Sequence, residues 1–134
     1  MHGIKVLSVM AVITTLTACE GKPLRLQLPA LQTIDDRVCI LIPAENDEYL
    51  NLIEISSSDK SQSTFRKFIS ADDESVPLSR NKCVPLFDYP FKTGYAYGVS
   101  FATSIKRGAE LDGRNFVISF TLYRVDGKLM ATKI

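Results

Sequence analysis

Histidine is almost missing from this chain of 134 residues: the only one is His2. The remainder therefore cannot assemble a Ser-His-Asp or Cys-His apparatus, or a zinc site built on imidazole. Charge of either sign is not in excess. Sixteen Lys and Arg face fifteen Asp and Glu, a formal balance of +1, so nothing recommends nucleic acid as a partner. Cysteine is scarce too, with Cys19, Cys39 and Cys83 only, and no Cys-x-x-Cys spacing for a dithiol redox site. No Gly-rich loop leads into a helix, so nothing cradles phosphate. Pro-rich or Ser-rich stalks, internal repeats and low-complexity tracts are likewise absent. What remains is an ordinary globular composition, 46% apolar and 23% charged, at a length that suits one domain.

The first eighteen residues differ from the rest. Lys5 is followed by a mostly apolar stretch, Val6 to Thr15, and then by Leu16-Thr17-Ala18-Cys19. A positive charge, an apolar stretch too short to span a bilayer and small residues are the parts of a secretory signal helix. Leu16-Thr17-Ala18-Cys19 resembles the bacterial lipobox. That resemblance implies cleavage before Cys19 and fatty acyl chains, palmitate among them, on its thiol and amine. Such multiple acylation exceeds the two signals needed for stable anchoring. Glu20, where many inner-membrane lipoproteins of enterobacteria carry Asp, implies an outer-membrane address facing the periplasm. The expected organisation is a removed signal peptide (1–18), a short lipidated tether (19–23) and one domain (24–134).

Processing changes the composition. Loss of Lys5 and His2 leaves 116 residues with fifteen charges of each sign and no histidine. With Cys19 lipidated, Cys39 and Cys83 form the remaining pair. In an oxidising periplasm that pair is most simply a disulfide, closing a loop worth roughly 4 kcal/mol in the chain-entropy model. The rival is two buried free thiols.

From Leu24 onward the pattern is β. Leu24, Leu26 and Leu28 alternate with polar residues up to Pro29. Arg37 to Ile42 is nearly all apolar, which suits a central strand buried on both faces. Tyr49 to Ser56 alternates with a change of phase between Leu52 and Ile53, as a bulge there would give. Ser56 to Ser63 reads as a polar loop, and Thr64 to Ile69 as an edge strand with two basic residues. Tyr95, Tyr97, Val99, Phe101 and Ile105 share one face of a strand, and Phe116, Ile118, Phe120 and Leu122 repeat that period in the next. Lys106-Arg107-Gly108 opens the connection between these two, which ends at Asp112-Gly113. Asp126-Gly127 turns the chain into a last strand, since Asp-Gly suits the positive φ of tight hairpins. The expected class is all-β: one antiparallel sandwich (immunoglobulin-like) or small barrel of seven to eight strands.

Candidate chemistry is sparse. Asp72-Asp73-Glu74 is the densest acidic cluster, but its residues are consecutive and lack the spacing of a calcium loop, so it reads as solvated. Asp35-Asp36 reads as a turn. Phe87, Tyr89 and Phe91, in a connection stiffened by Pro85 and Pro90, are the candidate binding residues: they form either an exposed anchor or a plug at one end of the sandwich. No catalytic residue, cofactor or metal is expected, and the chain is not expected to be an enzyme.

Five segments carry a wider resemblance: Leu16-Thr17-Ala18-Cys19, Arg37-Val38-Cys39-Ile40-Leu41-Ile42, Asn81-Lys82-Cys83-Val84-Pro85, Tyr89-Pro90-Phe91-Lys92-Thr93-Gly94-Tyr95-Ala96-Tyr97 and Phe116-Val117-Ile118-Ser119-Phe120. In these the chain resembles a family of enterobacterial periplasmic lipoproteins assigned to type VI secretion immunity. The resemblance implies a membrane-anchored, non-catalytic module whose partner is a protein toxin or effector. Two further expectations stand beside it, a periplasmic lysozyme-inhibitor lipoprotein and a structural or assembly lipoprotein of the cell envelope.

Overall fold

A computed structural model describes residues 28–70 and 75–134. The signal segment, Cys19, the tether, Leu24, Leu26 and Asp72-Asp73-Glu74 lie outside the described residues. Seven strands run through them: β1 (Ala30–Ile34), β2 (Arg37–Leu41), β3 (Glu48–Ser57), β4 (Phe65–Phe68), β5 (Ala96–Arg107), β6 (Glu110–Val125) and β7 (Lys128–Lys133). No helix among the described residues is long and apolar enough to cross a membrane. Strands β4-β3-β5-β6-β7 form one antiparallel sheet in that order, and β1-β2 form a separate hairpin. The result is an all-β sandwich-like fold with no closed barrel among the described residues.

Period-two alternation decides which face of the large sheet is covered. Tyr97, Val99, Phe101 and Ile105 of β5 are buried on the same side as Phe116, Ile118, Phe120 and Leu122 of β6. The rings of Phe101 and Phe116 stack with centroids 5.0 Å apart. Above them lie Ile40 and Ile42 from the hairpin side, with Ala44, Leu78 and Val84 from the irregular chain. Each buried side chain of this size contributes about 1.5–3 kcal/mol relative to exposure.

Turn chemistry sets the hairpins. Asp35 and Asp36 (φ 50° and 60°) join β1 to β2, and Asp126 and Gly127 (φ 51° and 80°) join β6 to β7. Paired positive φ values belong to the two-residue turn whose twist matches that of the strands. Aspartate tolerates this conformation better than most residues because its short polar side chain bonds locally.

Four expectations change. Asp112-Gly113 is not a turn but part of β6, opposite Ile105 and Ser104. The chain reverses instead at Gly108-Ala109, closed by the Arg107–Glu110 pair, with Gly108 at φ 62°. The Arg107 guanidinium reaches Asp112 at 2.6 Å along the extended ladder. The irregularity in β3 falls between Leu50 and Leu52, at Asn51, one step earlier than the phase change suggests. Asn51 leaves the ladder to β5, donates its amide to the Ser104 hydroxyl and accepts from Ile69 N–H at 2.8 Å. The parity switch lets Leu50 and Ile53 both point inward.

Strand β2 is not central, because it pairs only with β1. Its apolar run arises because Ile40 joins the core while the neighbouring Cys39, also buried, reaches Cys83. Finally, Leu28 is exposed, and the strand on this side of the chain begins after Pro29, at Ala30.

Candidate functional site: a groove at the disulfide end

Cys39 and Cys83 form a disulfide with Cα atoms 5.1 Å apart. It ties β2 to the segment carrying Phe87, Tyr89 and Phe91. Next to the bond, Val84 N–H donates to the Ile40 carbonyl at 2.8 Å. Leu86 to Tyr89 then makes a tight turn, with Tyr89 N–H donating to the Leu86 carbonyl at 3.1 Å. Both central residues, Phe87 and Asp88, have φ 54°. That conformation is uncommon for any residue with a side chain and a genuine outlier for a bulky one. Strain of this kind persists only where the surroundings over-determine it, and it clusters at ligand clamps and active sites.

The surroundings here are aromatic. Phe91 meets Tyr89 and Tyr97 edge-on, each with centroids 4.8 Å away, and approaches Phe120 at 5.9 Å. Phe87 and Tyr89 lean on Phe65 of β4, at 6.3 and 6.2 Å. Lys67 sits over the Phe87 ring, 5.2 Å from its centroid. Phe87, Tyr89 and Phe91 are thus half-buried and packed on the core. Polar anchors hold the backbone around them. The Tyr97 hydroxyl accepts from Lys92 N–H at 2.7 Å, Gln62 donates to the Pro90 carbonyl at 2.9 Å, and Gly94 N–H donates to Leu122 at 2.8 Å. The Tyr89 hydroxyl is buried without a hydrogen-bond partner of normal geometry. Burial pushes its pKa up, with Tyr97 and Asp59 adding to that and Ser57 opposing it.

Between this segment and the β1-β2 turn lies a groove of about 1310 Å³. Asp35, Asp36 and Arg37 form one rim, Phe87 to Phe91 the other, and Leu122, Leu129 and the disulfide line the space between them. Asp36 is engaged by Arg124 through two contacts of 2.9 Å and accepts from Leu129 N–H at 3.2 Å. The Arg124 hydrogen bond holds the Asp36 carboxyl below its ordinary range, and Asp36 raises Arg124 in return. On the aromatic rim Lys92 pairs with Asp59 at 3.3 Å. Hydrogen bonds from Ser61 are the main reason that Asp59 too sits below the usual carboxylate range. Asp35 and Asp88, one on each rim, are exposed. The groove therefore combines a fixed aromatic wall with rims that carry paired charges and two solvent-facing carboxylates.

The opposite end of the sandwich is closed by residues that sequence reasoning passed over. Glu48 is 1% exposed. It accepts two bonds from Arg114, one of them at 2.8 Å, with further bonds from Thr103 Oγ1 at 2.5 Å and Glu45 N–H at 3.0 Å. Burial alone would raise its pKa. The donors of Arg114, Thr103 and Glu45 together outweigh that, and the carboxyl lies below its ordinary value. Arg114 also donates to the Pro43 carbonyl at 3.1 Å and covers the Phe116 ring at 5.0 Å. The available signal was parity, since Arg114 stands in phase with buried Phe116 and Ile118. Among the described residues no group of three or more His, Cys, Asp or Glu is arranged to hold a metal ion.

Fold and groove together define a small sandwich-like β domain with a disulfide-braced cleft at one end. Residues 27–124 match the family described as a domain of unknown function, DUF7480, and the chain belongs to that family. No curated protein and no solved structure matches it.

Proposed function

We propose that this protein is a lipid-anchored binding module of the bacterial envelope, facing the periplasm, that neutralises an incoming type VI secretion effector by occupying it. The groove carries this reading. Its rim is locked in a strained conformation by a disulfide and an aromatic cluster, so little ordering entropy remains to be lost when a partner docks. The sequence supports the setting: Cys19 in a lipobox places the domain within a few residues of a membrane, where an effector crossing the envelope would act. The histidine-free domain acts by blocking, and Asp35 and Asp88 present the groups that a partner meets first.

Four measurements test this. Deletion of the gene should leave cells sensitive to attack by sibling cells, and tagged protein should co-purify one effector. Asp35→Asn together with Asp88→Asn, which removes both charges but keeps a residue that tolerates positive φ, should weaken protection without lowering the melting temperature. Full resistance of the deletion strain, with no effector recovered, would sink the proposal. Cys19→Ser should release the protein from membranes, and membrane association that survives the change would remove the anchoring part.

A further inference from the structure

The large sheet has a second face, which neither the core nor the groove uses. Along its centre, β5 places Ala96, Gly98, Ser100, Ala102 and Ser104 outward, all half-buried by neighbouring strands. Gly98 keeps the strip low: a Cβ at this position would meet the Ser56 hydroxyl at 3.0 Å, a tight contact. The flanking strands raise larger residues on both sides of this strip. Most of the exposed large apolar side chains among the described residues stand on this face: Leu111, Val117, Tyr123 and Val125 from β6, Met130 from β7 and Phe68 from β4. Charge is nearly absent from its middle. Glu54 and Arg66 neutralise each other at 2.6 Å, and Lys106 and Lys128 stand only near the ends of the strands.

We infer that this face is a homodimer interface, occupied by the same face of a second copy of the chain. Two arguments select that occupant. The first is size. Five strands of 4 to 16 residues, averaging roughly 30 Å in length and spaced about 4.8 Å apart, present roughly 700 Å², close to the ~800 Å² per partner of a stable interface. The second is self-complementarity. A two-fold interface sets each patch against its own copy, so it excludes any patch dominated by one charge sign. Here most of the uncharged polar groups are hydroxyls, Ser100, Ser119, Thr121 and Thr132 among them, with the Asn115 amide beside them, and both hydroxyls and amides donate and accept. Each is therefore matched by another of its kind. A depressed central strip between raised apolar rims suits the packing of sheet on sheet at about 10 Å. The groove lies on the opposite side of the sheet, so the pair would present two grooves and take two partners.

The test uses the full lipidated chain. Ser100→Cys, treated in membranes with a thiol crosslinker spanning about 10 Å, should give a covalent product of twice the chain mass. Thr93→Cys, beside the groove, should not. In detergent, light scattering should report two chains per particle for the native protein and one for Val117→Arg, with the β-sheet circular dichroism of that variant unchanged and its melting temperature no longer dependent on concentration. Monomeric native protein at all accessible concentrations would overturn the inference. So would a crosslinked product of any other mass, or a dimer that survives Val117→Arg.

Discussion

The two ends of this sandwich carry the same kind of contact used in opposite ways. At one end Glu48 and Arg114 form an ion pair whose carboxylate is withdrawn from water and bonded by four donors. At the other, Asp36 and Arg124 form an ion pair of comparable geometry in solvent, on the lip of an open groove. The first seals an end and the second frames an opening. A buried pair becomes very costly to break once built, because the surviving partner is stranded. An exposed pair is screened and loses little when cut. The energetic rigidity of the molecule should therefore be concentrated at the Glu48 end and at the disulfide-braced aromatic rim, leaving the Asp36–Arg124 contact the least costly to change.

The largest expected effect comes from separating the buried pair. Arg114→Ala leaves Glu48 charged without its main partner and should lower stability by about 3 kcal/mol, read from the midpoint of urea unfolding. Arg114→Lys should recover only part of this, since a point charge cannot reproduce two guanidinium bonds. Next in size is the disulfide. Replacing Cys39 and Cys83 together by Ala should cost roughly 2–4 kcal/mol, and the loss should be accompanied by faster proteolysis between Pro85 and Tyr95.

A third effect reads the Glu48 end through pH. The Glu48 carboxyl has a folded-state pKa below its unfolded value, so its contribution is fully present above the unfolded pKa. It is lost as pH falls through the folded value. Unfolding midpoints measured on acidification should therefore fall below the ordinary glutamate range. The same curve for Glu48→Gln should start lower and fall less steeply. The smallest effect belongs to the exposed pair: Arg124→Ala should shift the midpoint less than any change above, and raising salt should erase the shift. A larger loss for Arg124→Ala than for Arg114→Ala would overturn the contrast between the two ends.

Much of the architecture was legible because alternation is a local property. The inward faces of β5 and β6, the β4 edge, the Asp126-Gly127 turn and an all-β class of seven to eight strands follow from residues within a few positions of one another. The errors have the same origin. Asp112-Gly113 and Asp126-Gly127 carry the same turn chemistry, and only the latter turns, because the Gly108 reversal already places Asp112 opposite Ile105. The run in β2 looks buried on both faces of a sheet, and its apolar character comes from a core on one side and a disulfide on the other. For the groove, Phe87, Tyr89 and Phe91 were visible as a rigid aromatic connection. The opposing rim at Asp35 to Arg37 was not, since 52 residues separate Asp35 from Phe87.

By itself the sequence determined the strand content, the inward parity and the scarcity of histidine and cysteine. Each of these depends on side-chain type and on spacing along one strand. The tertiary structure alone decided which charges meet. Glu48 finds Arg114 across 66 residues and Asp36 finds Arg124 across 88, and those meetings make one end a seal and the other a groove. The physical reason is that an ion pair is defined by distance and burial in space. In a sheet ordered β4-β3-β5-β6-β7 beneath a separate hairpin, neither can be read from position along the chain.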